Sequence, residues 1–315
     1  MHRLLLAPAI QPEMRAVLEG RFEMFDMTGF DSPADVPGLD PATITAVVTK
    51  GESQFREKHI AALPNLKIIA NFGVGYDGID VTAAKARGVT VTHTPNVLTD
   101  ETANTALLLA LAVTRKLIVL DGLVRSGGWP TEPKELLANS IIEKRAGIIG
   151  LGRIGKGIAT RLEACGAIVS YTDTKRQDVP YPYYPDARSL AAESDLLVVA
   201  CQGGASTRHL VNAEVLDALG PDGFLVNAAR GTIVDEKALV AALQEGRVAG
   251  AGLDVFENEP HVPEALWSMD NVVLMPHRGS GTHETRRRMA ELCRSNLDAF
   301  FAGQPLPTPV REMRA

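Results

Sequence analysis

The sequence predicts an α/β protein built from two doubly wound parallel-sheet domains, and three observations carry that expectation. Short apolar runs alternate with longer helical segments throughout: 3–7, 44–49, 66–70 and 89–92 early in the chain, then 146–149, 168–172, 196–200, 224–227, 249–254 and 272–275. The later runs are almost continuously apolar, the pattern of strands buried on both faces in a sheet covered by helices. The chain has 315 residues, enough for two domains at roughly 150 residues each.

A long helical segment, 100–125, separates the two groups of strands. Thr99-Asp100-Glu101-Thr102 supplies capping residues and early negative charge, ALLLALAV follows, and Gly127-Gly128-Trp129-Pro130 breaks the chain. A second helix is expected over 284–300, after the last strand. It carries the chain back to the first domain, so the expected organisation is discontinuous: 1–98 plus 284–315 form one domain and 99–283 the other, inserted within it.

Composition narrows the class of function. Hydrophobic residues make up 45% and charged residues 22%, and 32 Lys+Arg against 38 Asp+Glu give a net charge of −6. That balance argues against a nucleic-acid or anionic-membrane partner. Cys165, Cys201 and Cys293 are isolated, without metal-ligand spacing, which suits a reducing compartment and no metal. The opening MHRLLLAPAI is too short in its apolar run for a signal peptide and suits a first strand, so the expectation is a cytoplasmic protein.

Residues 146–155 read AGIIGLGRIG, in which Gly150, Gly152 and Gly155 form G-x-G-x-x-G between an apolar strand and a helix-compatible run, 156–164. The first glycine permits a tight turn, the second lets the backbone approach a pyrophosphate, and the third permits close helix–strand packing. The next strand ends at Asp173, placed to accept hydrogen bonds from the adenosine ribose. Asp173 would repel a 2′-phosphate and favours NAD(H). Thr174, Lys175 and Arg176 follow and could hold that phosphate, which keeps NADP(H) open.

Three later strands end in polar residues: 224–227 leads into Ala228-Ala229-Arg230, 250–254 into Glu257-Asn258-Glu259-Pro260, and 272–275 into Pro276-His277-Arg278-Gly279. Ligands of open α/β sheets bind at such carboxyl ends. These residue types suit the reduction of a 2-keto acid, in which negative charge develops on the carbonyl oxygen. His277 can donate the proton, Glu259 can favour its protonated form, and Arg230 can grip a carboxylate with two parallel hydrogen bonds.

GIIGLGRIG, NAARGTIVDEKAL, GLDVFENEP and LMPHRGSGT resemble the D-2-hydroxyacid dehydrogenase family, in particular its glyoxylate/hydroxypyruvate reductase and hydroxyphenylpyruvate reductase branch, from about Val48 to Val310. The resemblance implies a Rossmann-type cofactor domain inserted into a flavodoxin-like substrate domain, with the active site in the cleft, and a homodimer using the helix from Asp100 and the Gly-Gly-Trp-Pro arm. It gives Arg230, Glu259 and His277 the roles assigned above from chemistry. It also implies that the backbone of Val74 and Gly75 meets the substrate carboxylate and that Asp254 receives the nicotinamide carboxamide. Arg153 and Ile154 would lie on the pyrophosphate, with Thr105, Thr207, Ala228 and Gly279 as further cofactor contacts. NADP-using members of the branch usually carry Ser or Gly followed by Arg where this chain has Asp173-Thr174. Residues 130–140 lack the second Trp that some glyoxylate reductases send into the partner's site.

The expected function is therefore NAD(P)H-dependent reduction of a small 2-keto acid, such as glyoxylate or hydroxypyruvate, to a D-2-hydroxy acid. The alternatives are a 2-ketogluconate or arylpyruvate reductase of the same family, or a dinucleotide-sensing corepressor-like binding protein. Formate dehydrogenase is disfavoured because position 259 is Glu.

Overall fold

Continuous apolar runs bounded by turn residues become parallel strands throughout the computed structural model, which describes residues 2–8, 10–51, 53–131 and 136–314. Residues 132–135 of the 130–140 stretch lie outside the described residues. The chain divides into two units, 1–98 with 281–315, and 99–280. The second boundary falls three residues before the expected one because Thr282 already caps the returning helix, its Oγ1 accepting from the Thr285 N–H at 3.2 Å.

The first unit runs β1 (His2–Leu6), α1 (Pro12–Leu18), β2 (Phe22–Asp26), β3 (Ala46–Thr49), α2 (Glu57–Ala61), β4 (Ile68–Asn71), α3 (Val81–Ala86) and β5 (Thr90–Thr92). Its sheet is parallel in the order β2-β1-β3-β4-β5, the flavodoxin-like arrangement. Leu5, Val47, Ile69 and Val91 share one buried cluster with Ile60 of α2 and with Leu63, just beyond that helix. Each such side chain contributes about 1.5–3 kcal/mol by leaving water. β2 is not among the strands expected from the sequence. It is an edge strand, FEMFD, in which only Phe22 is buried, and Glu23 and Asp26 pair outward with Arg3 and Arg15.

The second unit runs α4 (Thr99–Thr114), α5 (Leu117–Arg125), β6 (Arg145–Ile149), α6 (Arg153–Ala164), β7 (Ile168–Thr172), α7 (Ala187–Ala192), β8 (Leu196–Val199), α8 (Ala213–Leu219), β9 (Phe224–Asn227), α9 (Glu236–Gln244), β10 (Gly250–Leu253) and β11 (Val272–Leu274). α10 (His283–Phe301) then belongs to the first unit. The six strands are parallel in the order β11-β10-β9-β8-β6-β7. Alternate residues serve opposite faces: Ile148, Leu196 and Val198 pack with α4 and α6, whereas Ile149, Leu197 and Val199 pack with α7, α8 and α9. A third Rossmann strand beyond β7 is reduced to one parallel bridge, Tyr171 to Tyr183, because Pro180, Pro182 and Pro185 remove the donors a ladder needs.

The helix expected over 100–125 is two helices. Lys116 adopts a left-handed conformation, φ 52°, between them, and no glycine or proline marks the break. α4 buries Ala103, Ala106, Leu109, Ala110 and Val113 in its own unit, while Leu108 stays half exposed. Among the described residues no helix is long and apolar enough to cross a membrane.

Candidate active site

The parallel register aligns the carboxyl ends of five strands of the second unit. Ile149 pairs with Val199, Val199 with Asn227, Asn227 with Leu253, and Leu253 with Leu274. The turns that follow therefore emerge along one edge: the glycine turn after β6, the Cys201 loop after β8, Arg230 after β9, Glu259 after β10 and His277 after β11. The strand order reverses direction between β6 and β8, the place where open α/β sheets form a ligand crevice.

The glycine turn fits a dinucleotide. Gly150 has φ +93°, and a Cβ there would lie 2.6 Å from the Cys201 backbone; a Cβ at Gly155 would lie 2.1 Å from the Gly150 carbonyl oxygen. These two glycines bring β6, α6 and β8 together. Gly152 is different. It caps α6, and a Cβ there would project into open space. The first turn of α6 has no side-chain cap and no acidic residue, so its positive end is left for an anion. Arg153 is exposed and Ile154 half-buried in this turn. Burial pushes the Cys201 thiol up to about 11, so it stays protonated as a packing group.

Asp173 is fastened to the same turn. Its Oδ2 accepts from the Leu151 N–H and from Gln177 Nε2, both at 2.9 Å, and its Oδ1 accepts from the Thr174 N–H at 2.7 Å. Gln177 Nε2 also donates to the Leu151 carbonyl at 2.9 Å. Thr174, Lys175 and Arg176 are exposed beside it. Of the remaining expected contacts, Thr207 Oγ1 donates to the Gln202 carbonyl at 2.8 Å, and Ala228 is buried just beyond β9. Thr105 Oγ1 donates to the Gly279 carbonyl at 3.3 Å.

His277 and Glu259 come together. The Glu259 Oε2 lies 2.8 Å from His277 Nδ1, and its Oε1 accepts from the Phe256 N–H at 3.1 Å. The carboxylate is thus held from behind and fixes the imidazole through Nδ1. His277 sits at φ +51°, with its N–H on the Asp254 carbonyl at 2.7 Å. Asp254 fastens the loop, its two carboxylate oxygens accepting from the N–H groups of Arg278 and Gly279 at 2.6 and 2.7 Å. Burial raises its carboxyl above the usual range, which those two bonds and nearby His277 only partly offset. Arg230 is half-buried, with Nη1 on the Ala229 carbonyl at 2.8 Å, and Asn227 Nδ2 holds the Arg230 carbonyl at 2.9 Å. Val74 and Gly75 belong to the other unit, in a half-buried turn after β4.

A second His–Glu pair escaped the sequence reading. His209 Nε2 lies 2.9 Å from Glu257 Oε1, which Arg208 also engages, and the Glu257 N–H donates to Glu236 Oε2 at 3.1 Å. Burial raises the Glu236 carboxyl; the Glu257 N–H bond opposes this, and the charges of Glu257 and Glu259 add to it. The nearest signal was Glu257 and Glu259 at alternate positions, which aim at two different histidines.

Residues 107–279 match the NAD-binding domain of the D-isomer specific 2-hydroxyacid dehydrogenases. A hydroxyphenylpyruvate reductase of Plectranthus scutellarioides is 47% identical over 294 residues, 93% of this chain and 94% of that protein. A glyoxylate/hydroxypyruvate reductase A of Arabidopsis thaliana is 49% identical over 269 residues, 85% and 86% of the two chains. The crystal structure of an NADPH-dependent glyoxylate/hydroxypyruvate reductase from Sinorhizobium meliloti, in complex with NADP and malonate, superposes with a TM-score of 0.93. It is 44% identical and covers 100% of this chain and 99% of that one.

Proposed function

Because the chain belongs to the D-isomer specific 2-hydroxyacid dehydrogenase family, an oxidoreductase family, we propose that it reduces a small 2-keto acid to the D-2-hydroxy acid with NAD(P)H. Glyoxylate and hydroxypyruvate are the proposed substrates, on the strength of the relatives. The observation that carries the reading is the 2.8 Å Glu259–His277 pair, on the sheet edge that also bears Arg230 and the glycine turn.

The nicotinamide, when bound, supplies the hydride for the substrate carbonyl carbon. His277 delivers a proton from Nε2 to the carbonyl oxygen as negative charge develops there, and Glu259 at Nδ1 stabilises the imidazolium before transfer. Arg230 holds the substrate carboxylate, with the backbone of Val74 and Gly75 as its second anchor, so that the carbonyl is oriented before reaction. Gly150, Gly152, Arg153, Ile154 and Gly155 would hold the pyrophosphate, and Asp173 the adenosine ribose. Thr105, Thr207, Ala228, Asp254 and Gly279 would complete the dinucleotide site. The Asp173 charge favours NAD(H), whereas exposed Lys175 and Arg176 offer a 2′-phosphate two cations.

We further propose a homodimer formed through the α4–α5 region. Eight of the ten exposed large apolar side chains among the described residues fall between Leu108 and Ile142, on α4, on α5 or on the chain that follows them, including Ile118, Val124, Trp129, Leu137 and Ile142. Sedimentation at micromolar concentration should give twice the chain mass of 33.7 kDa.

Absorbance at 340 nm, followed with NADH and NADPH in parallel against glyoxylate, hydroxypyruvate, 2-ketogluconate and hydroxyphenylpyruvate, tests the reading. Oxidation coupled to formation of a D-2-hydroxy acid is expected. Tight cofactor binding without oxidation by any substrate would favour a dinucleotide sensor instead.

A further inference from the structure

The turn after β4 has an unusual construction. Asn71, the last residue of β4, is fully buried, and its Nδ2 donates to two carbonyls of the same turn, Gly73 at 3.0 Å and Gly75 at 2.9 Å. Carbonyl oxygens only accept, so both must face the NH₂ end of the amide. The carbonyl between them, Val74, lies 3.0 Å from His93 Nδ1, so that nitrogen carries the hydrogen. The Thr94 N–H adds a second donor to Gly73 at 2.8 Å. Three consecutive carbonyls are thus drawn onto buried donors.

The orientation of the opposite groups follows from the peptide bond. None of these peptides is cis, and in a planar trans peptide the N–H points away from its C=O. Fixing the carbonyls of Gly73, Val74 and Gly75 therefore turns the N–H groups of Val74, Gly75 and Tyr76 away from the donors. Successive N–H groups presented in this way form an anion-binding concavity.

The donors are themselves anchored. His93 is buried, with its ring edge-on to Tyr76 at 5.5 Å between centroids. Its N–H donates to the Thr308 carbonyl at 3.1 Å, and its carbonyl accepts from Thr308 Oγ1 at 2.6 Å. Asn71 Oδ1 is buried without a hydrogen-bond partner among the described residues. A polar atom left unsatisfied costs stability and calls for a reason. Here the reason is the two carbonyls that the other end of the amide must hold.

We propose that Asn71 and His93 are positioning residues that shape the Gly73–Gly75 turn into the receptor for the substrate carboxylate. The inference rests on the reading that Val74 and Gly75 meet that carboxylate, and it identifies what makes their backbone competent to do so.

Steady-state kinetics on the full-length protein test it, with glyoxylate as substrate and oxalate as competitive probe. Asn71→Ala should raise the glyoxylate KM and the oxalate inhibition constant by the same factor, at least ~10-fold, with a smaller change in kcat and an unchanged KM for NADH. His93→Asn, whose amide nitrogen can take the place of Nδ1, should stay near wild type, whereas His93→Leu should behave like Asn71→Ala. If Asn71→Ala does not fold, the two His93 variants decide the matter alone. An unchanged glyoxylate KM in Asn71→Ala, or equal effects of His93→Asn and His93→Leu, would overturn the proposal. Arg230→Lys separates the two levels. If it raises the glyoxylate KM while Asn71→Ala and His93→Leu do not, the carboxylate reading stands and the positioning role falls; if none of them moves it, both fall.

Discussion

The Gly150–Gly155 turn and the Gly73–Gly75 turn present backbone N–H groups by opposite means. In the first, the backbone does the work itself: Gly150 takes a left-handed conformation, Gly155 lets α6 approach β6, and the uncapped helix start supplies the donors. In the second, buried side chains pull the carbonyls inward, with Asn71 and His93 each donating from a different strand end. The first design leaves its signature in consecutive residues. The second leaves none, because its parts lie 22 residues apart and meet through side-chain-to-backbone bonds.

The two turns should differ most in their response to substitution at the glycines. Gly155→Ala forces a Cβ to within 2.1 Å of the Gly150 carbonyl oxygen, so the turn itself must shift. A loss of about 2–4 kcal/mol in denaturant unfolding is expected, together with a rise of ~100-fold in the NADH KM. Gly152→Ala meets no protein atom and should leave the melting temperature within about 1 °C. Its effect should appear only in cofactor affinity, roughly 10-fold, since a methyl group takes space that a phosphate would use. Equal melting temperatures for the two variants would show that the glycines do not divide their work in this way.

Side chains that hold backbone can also carry a charge-linked cost, which the glycine design avoids. Glu236 accepts the Glu257 N–H while burial and two neighbouring carboxylates raise its carboxyl above the ordinary 4.5. Folded protein then binds more protons than unfolded protein between those two values, so stability falls as pH rises through that window and stays lower above it. Glu236→Gln keeps an acceptor oxygen and removes the charge. It should raise the melting temperature by about 1–3 °C at pH 8, and the gain should vanish by about pH 4. A gain that grows toward acid would contradict the sign.

How much was legible follows from the same physics. β6, β8 and β9 are buried on both faces, so their residues are almost all apolar and the runs stand out. β2 is an edge strand with one buried residue, and its polar positions hide it. The break at Lys116 carries no glycine or proline, so nothing in the helical pattern 100–125 announces it. In the candidate site, Arg230, Glu259 and His277 stand out in the sequence because each follows the end of an apolar strand, and the register lines those strands up. The His209–Glu257 pair does not, since His209 follows no strand and its partner lies 48 residues on. Asp254 was read as a cofactor contact, whereas the fold also uses it to fasten the His277 loop, a backbone role that residue type alone does not reveal.

His277, held by Glu259, is the proposed proton donor to the 2-keto acid. Turnover of hydroxypyruvate and glyoxylate by His277→Ala, with NADH affinity measured on the same sample by fluorescence titration, separates that role from a structural one. The expected result is a loss of ~10²–10⁴-fold in kcat, with cofactor affinity within about twofold of wild type. Turnover near the wild-type rate, with cofactor still bound, would contradict it.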